Sequence, residues 1–242
     1  MPAIAERSAP QREQVVAERG GTKLNIGCGP IQPEGWVNVD GSNRAWLASK
    51  LPWLDRALTS IGLISPTEFT RETACYDIRR GLRESDGSVS CIYCGELLEH
   101  LTRDEGERFL RECFRVLEPG GVLRLRVPDN YEFWRQYVAE FEQQRCQANG
   151  STSGEIPHAR WVEMFFRDIC VRRPWLGSMG HFHKWMYDEL SLGSVLSGVG
   201  FVEVERRRLH ESRISDIAAV ENRFDLIMEC VKPVWVKGPA EV

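Results

Sequence analysis

Leu24-Asn25-Ile26-Gly27-Cys28-Gly29-Pro30 decides how the rest of the chain is read. A short apolar strand runs straight into a glycine turn. Glycine tolerates φ > 0 and has no side chain, so the backbone there can bend sharply and approach a ligand closely. In an open α/β sheet, ligands sit beyond the carboxyl ends of the strands, where such turns lie. The turn therefore reads as the floor of a ligand site.

Downstream of the turn, Ile31-Gln32-Pro33-Glu34-Gly35 is too rich in Pro and Gly for a long helix. Trp36-Val37-Asn38-Val39-Asp40 then alternates and ends in a carboxylate, as a second strand should. In a dinucleotide fold, an acid at that strand end binds a ribose hydroxyl, usually about 20 residues beyond the glycines. Asp40 follows Gly29 by only eleven positions, so the intervening helix is short or missing. Gln32 stands where the third glycine of G-x-G-x-x-G belongs. Both facts count against a nicotinamide or flavin cofactor. Asp40 reads as a ribose ligand, and the plainer reading is a turn residue before Gly41 and Ser42.

Residues 44–70 read as an insertion. Trp46, Leu47, Leu51, Leu54, Leu58 and Ile61 recur at helical spacing, and Pro52 starts or kinks the helix. Its charges form no basic face, so the expectation is a helix packed on its own domain. Cys75-Tyr76-Asp77-Ile78 reads as the end of a third strand. Val89 to Cys94 is the fourth, and Gly95-Glu96-Leu97-Leu98-Glu99-His100 brings two acids and a histidine to its carboxyl end. Thr102-Arg103-Asp104-Glu105 is a capping box opening a helix whose apolar face is Phe109, Leu110, Cys113, Phe114 and Leu117. Pro119-Gly120-Gly121 is expected to stop it, with Val122 to Val127 as strand five. Residues 130–148 form an aromatic-rich helical stretch, and 149–182 are irregular, a length that usually covers a site or is mobile. Asp188 caps another helix that Gly200 stops, and Phe201 to Leu209 and Phe224 to Val231 supply the last strands.

The 242 residues suffice for one large α/β domain, expected over 21–235, with a flexible polar leader at 1–20 and a tail at 236–242. The formal net charge of −4 gives no basic field, which argues against nucleic acid as the main partner. No apolar run is long enough to span a bilayer, and the leader has no secretory core. A cytoplasmic protein with reduced thiols is the expectation. Cys91 and Cys94 form a CxxC inside a predicted strand with no second pair at zinc-ligand spacing, so they read as core and no metal site is expected.

The glycine turn, Asp40, Asp77 and Arg115-Val116-Leu117-Glu118-Pro119-Gly120-Gly121 together resemble the class I methyltransferases that use S-adenosylmethionine. Closer still, Leu98-Glu99-His100 and His183-Lys184-Trp185-Met186-Tyr187-Asp188 look like motifs of a bacterial group of methyltransferases associated with surface-glycan assembly. The resemblance spans about residues 22–233. It implies a Rossmann-like, doubly wound, seven-stranded sheet, mostly parallel with an antiparallel last strand. It also implies that Gly27 and Gly29 pass under the methionine part of S-adenosyl-L-methionine, that Asp40 holds the ribose and Asp77 with Ile78 the adenine, and that Gly95 and Glu96 line the methionyl end. Two positions depart from the pattern. Asn25 stands where the family has an acid, and Gly95-Glu96 where the closer group has Ser-His.

The sulfonium cofactor carries an activated methyl group, so the protein supplies orientation and a dry, shaped site. A hydroxyl acceptor must also lose a proton, for which a histidine near neutral pKa is suited. His100 and His183 are the candidates; packing at a helix start and a loop position are their plainer readings. Tyr187 and Asp188 stand behind them. Tyr131, Phe133, Trp134, Trp161, Phe165 and Phe166 suit the wall of a sugar or lipid acceptor, and Arg160, Arg167, Arg172 and Arg173 suit an acceptor phosphate, although core and solvated face explain them as well. The reading is methyl transfer to a small-molecule or glycan acceptor at oxygen. A non-catalytic cofactor-binding scaffold in a glycan-assembly complex is the alternative, and the sequence does not fix the oligomeric state.

Overall fold

The computed structural model describes residues 21–66, 69–147, 183–223 and 225–234. Six strands form one sheet in the order β2-β1-β3-β4-β6-β5. They are β1 (Thr22–Ile26), β2 (Val37–Val39), β3 (Val89–Gly95), β4 (Leu117–Val127), β5 (Val202–Arg206) and β6 (Leu226–Val231). The pairs β1/β2, β1/β3 and β3/β4 are parallel, and β6 runs antiparallel to both β4 and β5. The fold is a Rossmann-like α/β sheet. Strand order reverses direction at β1, with β2 on one side and β3 on the other. That is the switch point at which such sheets open a crevice.

The expected seven strands become six among the described residues. The missing one is the third: Ala74 makes a single parallel bridge to Val39, and the chain then enters a 3-10 turn at Ile78–Arg80. The cause is local. The Asp77 carboxylate accepts from the Arg79 backbone N–H and caps the turn, which offers the backbone an alternative to the sheet.

β3 is buried along its whole length and reads out on both faces. Ile92, Cys94, Leu123 and Leu125 face a core closed by helices α3 (Arg103–Val116) and α5 (Glu189–Val199). Phe109, Leu110, Cys113 and Val116 of α3 are buried there, each worth about 1.5–3 kcal/mol except the smaller Cys113. The predicted capping box is present: Glu105 N–H donates to Thr102 Oγ1 at 3.3 Å and Thr102 N–H to Glu105 Oε2 at 2.9 Å. α5 has its own box between Asp188 and Ser191. The opposite face buries Cys91, Tyr93 and Val122 against Trp36, Ile214, Ile217 and Val220. The doubly wound pattern is thus modified. The link from Gly29 to β2 is too short for a helix, and this apolar cover comes from the stretch before β6. A buried ion network anchors that cover. Arg124 donates to Glu221 Oε1 and Oε2 at 2.9 and 2.7 Å, to Glu229 at 3.0 Å, and to the Glu211 and Arg208 carbonyls.

Other expectations shift in detail. Leu117, not the glycines, ends α3, and β4 begins there because Gly120 N–H donates to the Lys232 carbonyl and Lys232 N–H to the Gly121 carbonyl. The insertion forms α1 (Asn43–Lys50) and α2 (Pro52–Ser60), broken at Leu51 with Pro52 opening α2. Ala45 and Ala48 are buried, and Leu47, Leu51, Leu54 and Leu58 of the apolar stripe are half-buried, whereas Trp46 and Ile61 at its ends are exposed. α4 (Asn130–Gln147) leaves Tyr131 and Trp134 exposed. Cys91 and Cys94 are free and buried, and burial pushes the Cys91 thiol up to about 12. The leader at 1–20, all of 149–182 with Trp161, Phe165, Phe166, Arg160, Arg167, Arg172 and Arg173, and the tail lie outside the described residues.

Candidate active site

The glycine turn opens at the carboxyl end of β1, with Gly27 at φ +72° and Gly29 at φ +51°. Gly27 and Cys28 N–H both donate to the Val39 carbonyl, at 2.9 and 3.1 Å, which pins the turn across the sheet to β2. Asp40 fastens it from the other side. Its Oδ2 accepts from Gly29 N–H at 3.1 Å and its Oδ1 from Ser42 N–H at 2.8 Å. Each oxygen keeps a further lone pair for a hydroxyl donor.

Asn25 explains the departure from the family acid. It is 3% exposed, and its Nδ2 donates to the Ile31 carbonyl at 2.8 Å and to Asn38 Oδ1 at 2.9 Å. A carboxylate has no proton to give either acceptor. The amide therefore holds the abbreviated link between turn and β2, which a helix would otherwise hold.

A cavity of about 270 Å³ lies on the turn. Gly27, Cys28, Gly29, Pro30 and Ile31 line one side, and Tyr93, Gly95, Glu96, Arg126, Asn222 and Arg223 the other. Glu96 adopts φ +52°, the left-handed region, which costs a non-glycine residue free energy and clusters at functional sites. Two ion pairs hold it there, with Arg126 at 3.2 Å and Arg223 at 3.3 Å. Arg126 NH1 also donates to Asn222 Oδ1 at 3.2 Å. Two buried polar atoms at the cavity have no hydrogen-bond partner among the described residues: Tyr93 Oη and Arg126 Nε. Burial raises the Tyr93 hydroxyl well above its ordinary range, with Arg126 opposing, so it stays protonated and able to donate.

Of the predicted residues, Gly27, Gly29, Gly95 and Glu96 meet at this cavity, and Asp40 stands behind Gly29. Asp77 and Ile78 are not among its lining. Asp77 holds Arg79 through Nε at 2.9 Å and NH2 at 2.8 Å, and the Arg79 hydrogen bond keeps its carboxyl below the usual range. Ile78 is 3% exposed, packed in the core. His100 and His183 are brought together, ring centroids 5.1 Å apart at 68°. The backbone arranges this, because Lys184 and Trp185 N–H both donate to the Glu99 carbonyl, at 2.8 and 3.2 Å. Tyr187 is 2% exposed in the core, and Asp188 is the cap of α5. Sequence reasoning missed Tyr93, Arg126, Asn222 and Arg223. The Val122-Leu123-Arg124-Leu125-Arg126-Val127 alternation carried a signal, since it sets both arginines on the face opposite two core leucines.

The family described as "Methyltransferase domain" matches residues 61–125, from the end of α2 through β3 and α3 into β4. This stretch is similar to a methyltransferase domain. The matched stretch includes Asp77, Ile78, Gly95, Glu96 and His100 and leaves out the glycine turn, where the shortened link lies. The chain has no match among the curated proteins. Similar solved structures include one from Thermotoga maritima described as an S-adenosylmethionine-dependent methyltransferase, possible histamine N-methyltransferase. It is 15% identical, with 91% of this chain and 86% of that one covered and a TM-score of 0.45. Others are S-adenosylmethionine-dependent methyltransferases from Methanosarcina mazei (18% identical, 87% and 90% covered, TM-score 0.43) and Archaeoglobus fulgidus (13%, 88% and 86%, 0.45). TM-scores this low carry no weight for fold or acceptor. The cavity fits the cofactor on its own terms. It offers a glycine floor with Asp40 behind Gly29, and on its wall Tyr93, whose Oη has no hydrogen-bond partner among the described residues, and Arg126, whose Nε has only Asp225 Oδ2 at 4.0 Å; both are donors suited to a carboxylate. No described helix is long and apolar enough to cross a membrane.

Proposed function

We propose that the chain is an S-adenosylmethionine-dependent methyltransferase, that it transfers a methyl group to a hydroxyl oxygen of a small-molecule or glycan acceptor, and that the acceptor proton leaves through the His100–His183 pair. When bound, the cofactor supplies a methyl group already activated for in-line displacement. The chain's own residues then hold and orient. Gly27 and Gly29 let the backbone pass beneath the methionyl part, and Arg126 and Tyr93 take its carboxylate. Glu96, held by Arg126 and Arg223, faces its amino group. Asp40 accepts from the ribose hydroxyls with the lone pairs that Gly29 and Ser42 leave open. Asp77 accepts from the adenine amino group with the carboxylate capacity that Arg79 does not use, whereas the buried Ile78 serves the core.

The observation that carries the oxygen acceptor is the pairing of the His100 imidazole, in the turn after β3, with that of His183, on the segment leading into α5. Nitrogen and sulfur acceptors need less help with deprotonation than a hydroxyl, whose proton must go to a base as the bond forms. Glycan-linked acceptors are favoured by the two motifs, Leu98-Glu99-His100 and His183-Lys184-Trp185-Met186-Tyr187-Asp188, that meet here. The test is release of the demethylated cofactor by the purified chain with a panel of sugars, nucleotide-linked sugars and simple amines. Turnover confined to amines contradicts the oxygen reading.

A further inference from the structure

Beside the cavity, Glu99, His100 and His183 each offer one metal-ligating atom, and these atoms all lie within 4.8 Å of one another. Glu99 is 2% exposed, and its Oε2 has no hydrogen-bond partner among the described residues. A buried carboxylate oxygen left in that state is destabilising. The cations nearby are directed elsewhere: Lys184 pairs with Glu105 at 3.7 Å, and Arg126 with Glu96. Glu99 also feels the charge of Glu96, which connects this cluster to the cavity wall.

We propose that Glu99, His100 and His183 bind a divalent transition-metal ion of the Zn²⁺ type. Two imidazoles and one carboxylate suit first-row ions such as Zn²⁺, Fe²⁺ or Co²⁺, whereas Mg²⁺ and Ca²⁺ take all-oxygen sets. Three protein ligands leave positions open, the pattern of a catalytic rather than a structural centre. Ligand atoms on one ion at about 2.0–2.2 Å lie roughly 3–3.5 Å apart. The cluster therefore closes by about an ångström, within reach of a rotation of the two half-buried histidines. The Glu99 carbonyl already holds the His183 segment in register through Lys184 and Trp185. An ion bound there would occupy the ring nitrogens that the proton-acceptor reading of the pair needs, so metal binding stands apart from that reading, and the two are told apart by whether turnover needs the ion. No cysteine takes part, which is why the search for cysteine spacing gave no metal site.

The test uses the untagged full chain, stripped with a chelator and titrated with Zn²⁺ by calorimetry and with Co²⁺ by absorption. The expected result is one ion per chain and a Co²⁺ spectrum lacking the near-ultraviolet band of a thiolate ligand. His100→Ala and His183→Ala should each weaken uptake at least about tenfold with unchanged circular dichroism. Cys146→Ser, at an exposed position, should not change it. Absence of uptake, a thiolate band, or undiminished uptake in both histidine variants overturns the proposal. S-Adenosylmethionine titrated into the same metal-free protein reports separately on the methyl-transfer reading.

Discussion

His100 and His183 face each other edge-on, ring centroids 5.1 Å apart, although they come from segments far apart in the chain. The contact joins the loop after β3 to the segment that leads into α5. His100→Ala should abolish turnover and leave S-adenosylmethionine affinity within about twofold, because His100 is not among the groups lining the cavity. Steady-state rates beside calorimetric Kd values check this. Unchanged turnover would remove His100 from the chemistry.

The two glycines of the turn should respond differently. Both sit at positive φ, where an alanine costs roughly 1–2 kcal/mol. At Gly27 an added Cβ would also come within 3.1 Å of Leu97 Cβ, whereas at Gly29 it meets nothing within 4 Å. Gly27→Ala should therefore lose more stability than Gly29→Ala in urea denaturation. Equal losses would contradict the packing described for Gly27.

Removing the guanidinium of Arg124 should be costly. It is fully buried, as are its partners Glu221 and Glu229. Arg124→Met leaves Glu221 buried without a cation and Glu229 with Arg213 alone, at 3.4 Å, a loss of roughly 3–5 kcal/mol. The triple replacement Arg124→Met, Glu221→Leu and Glu229→Leu should recover part of that loss. A single-variant loss below about 1 kcal/mol would contradict the account of this face.

Acid should expose another pair. Hydrogen bonds from Arg115, with the Leu82 N–H adding to them, hold the Glu112 carboxyl below its ordinary range despite partial burial. A carboxyl depressed in the folded state adds stability that is complete above the unfolded pKa and lost as pH falls through the folded one. Glu112→Gln should therefore be less stable than the parent near pH 7, with the difference shrinking toward about pH 3. A constant difference across that range would contradict it.

Much of this was legible because it is local. The capping box at Thr102–Glu105, the cap at Asp188 and the glycine turn are written in contiguous residues, and each is present. The third strand was misread because Asp77 and Arg79 settle a local contest between turn and sheet that alternation does not reveal. The cavity's Tyr93, Arg126, Asn222 and Arg223 come from three segments, so only the fold assembles them. Asn25 stands in the sequence only as a departure from the family acid; its two donated hydrogen bonds, which hold the short link to β2, are visible only in the fold.

The central claim is that S-adenosylmethionine binds on the Gly27–Gly29 turn with Asp40 at its ribose. The direct measurement is calorimetric titration of the chain and of Asp40→Ala with S-adenosylmethionine, its demethylated product and NADH. The account predicts Kd values on the order of micromolar for the first two, no binding of NADH, and affinity weakened at least about tenfold in the variant. Absence of binding by both sulfur compounds, or equal affinity in Asp40→Ala, would contradict it.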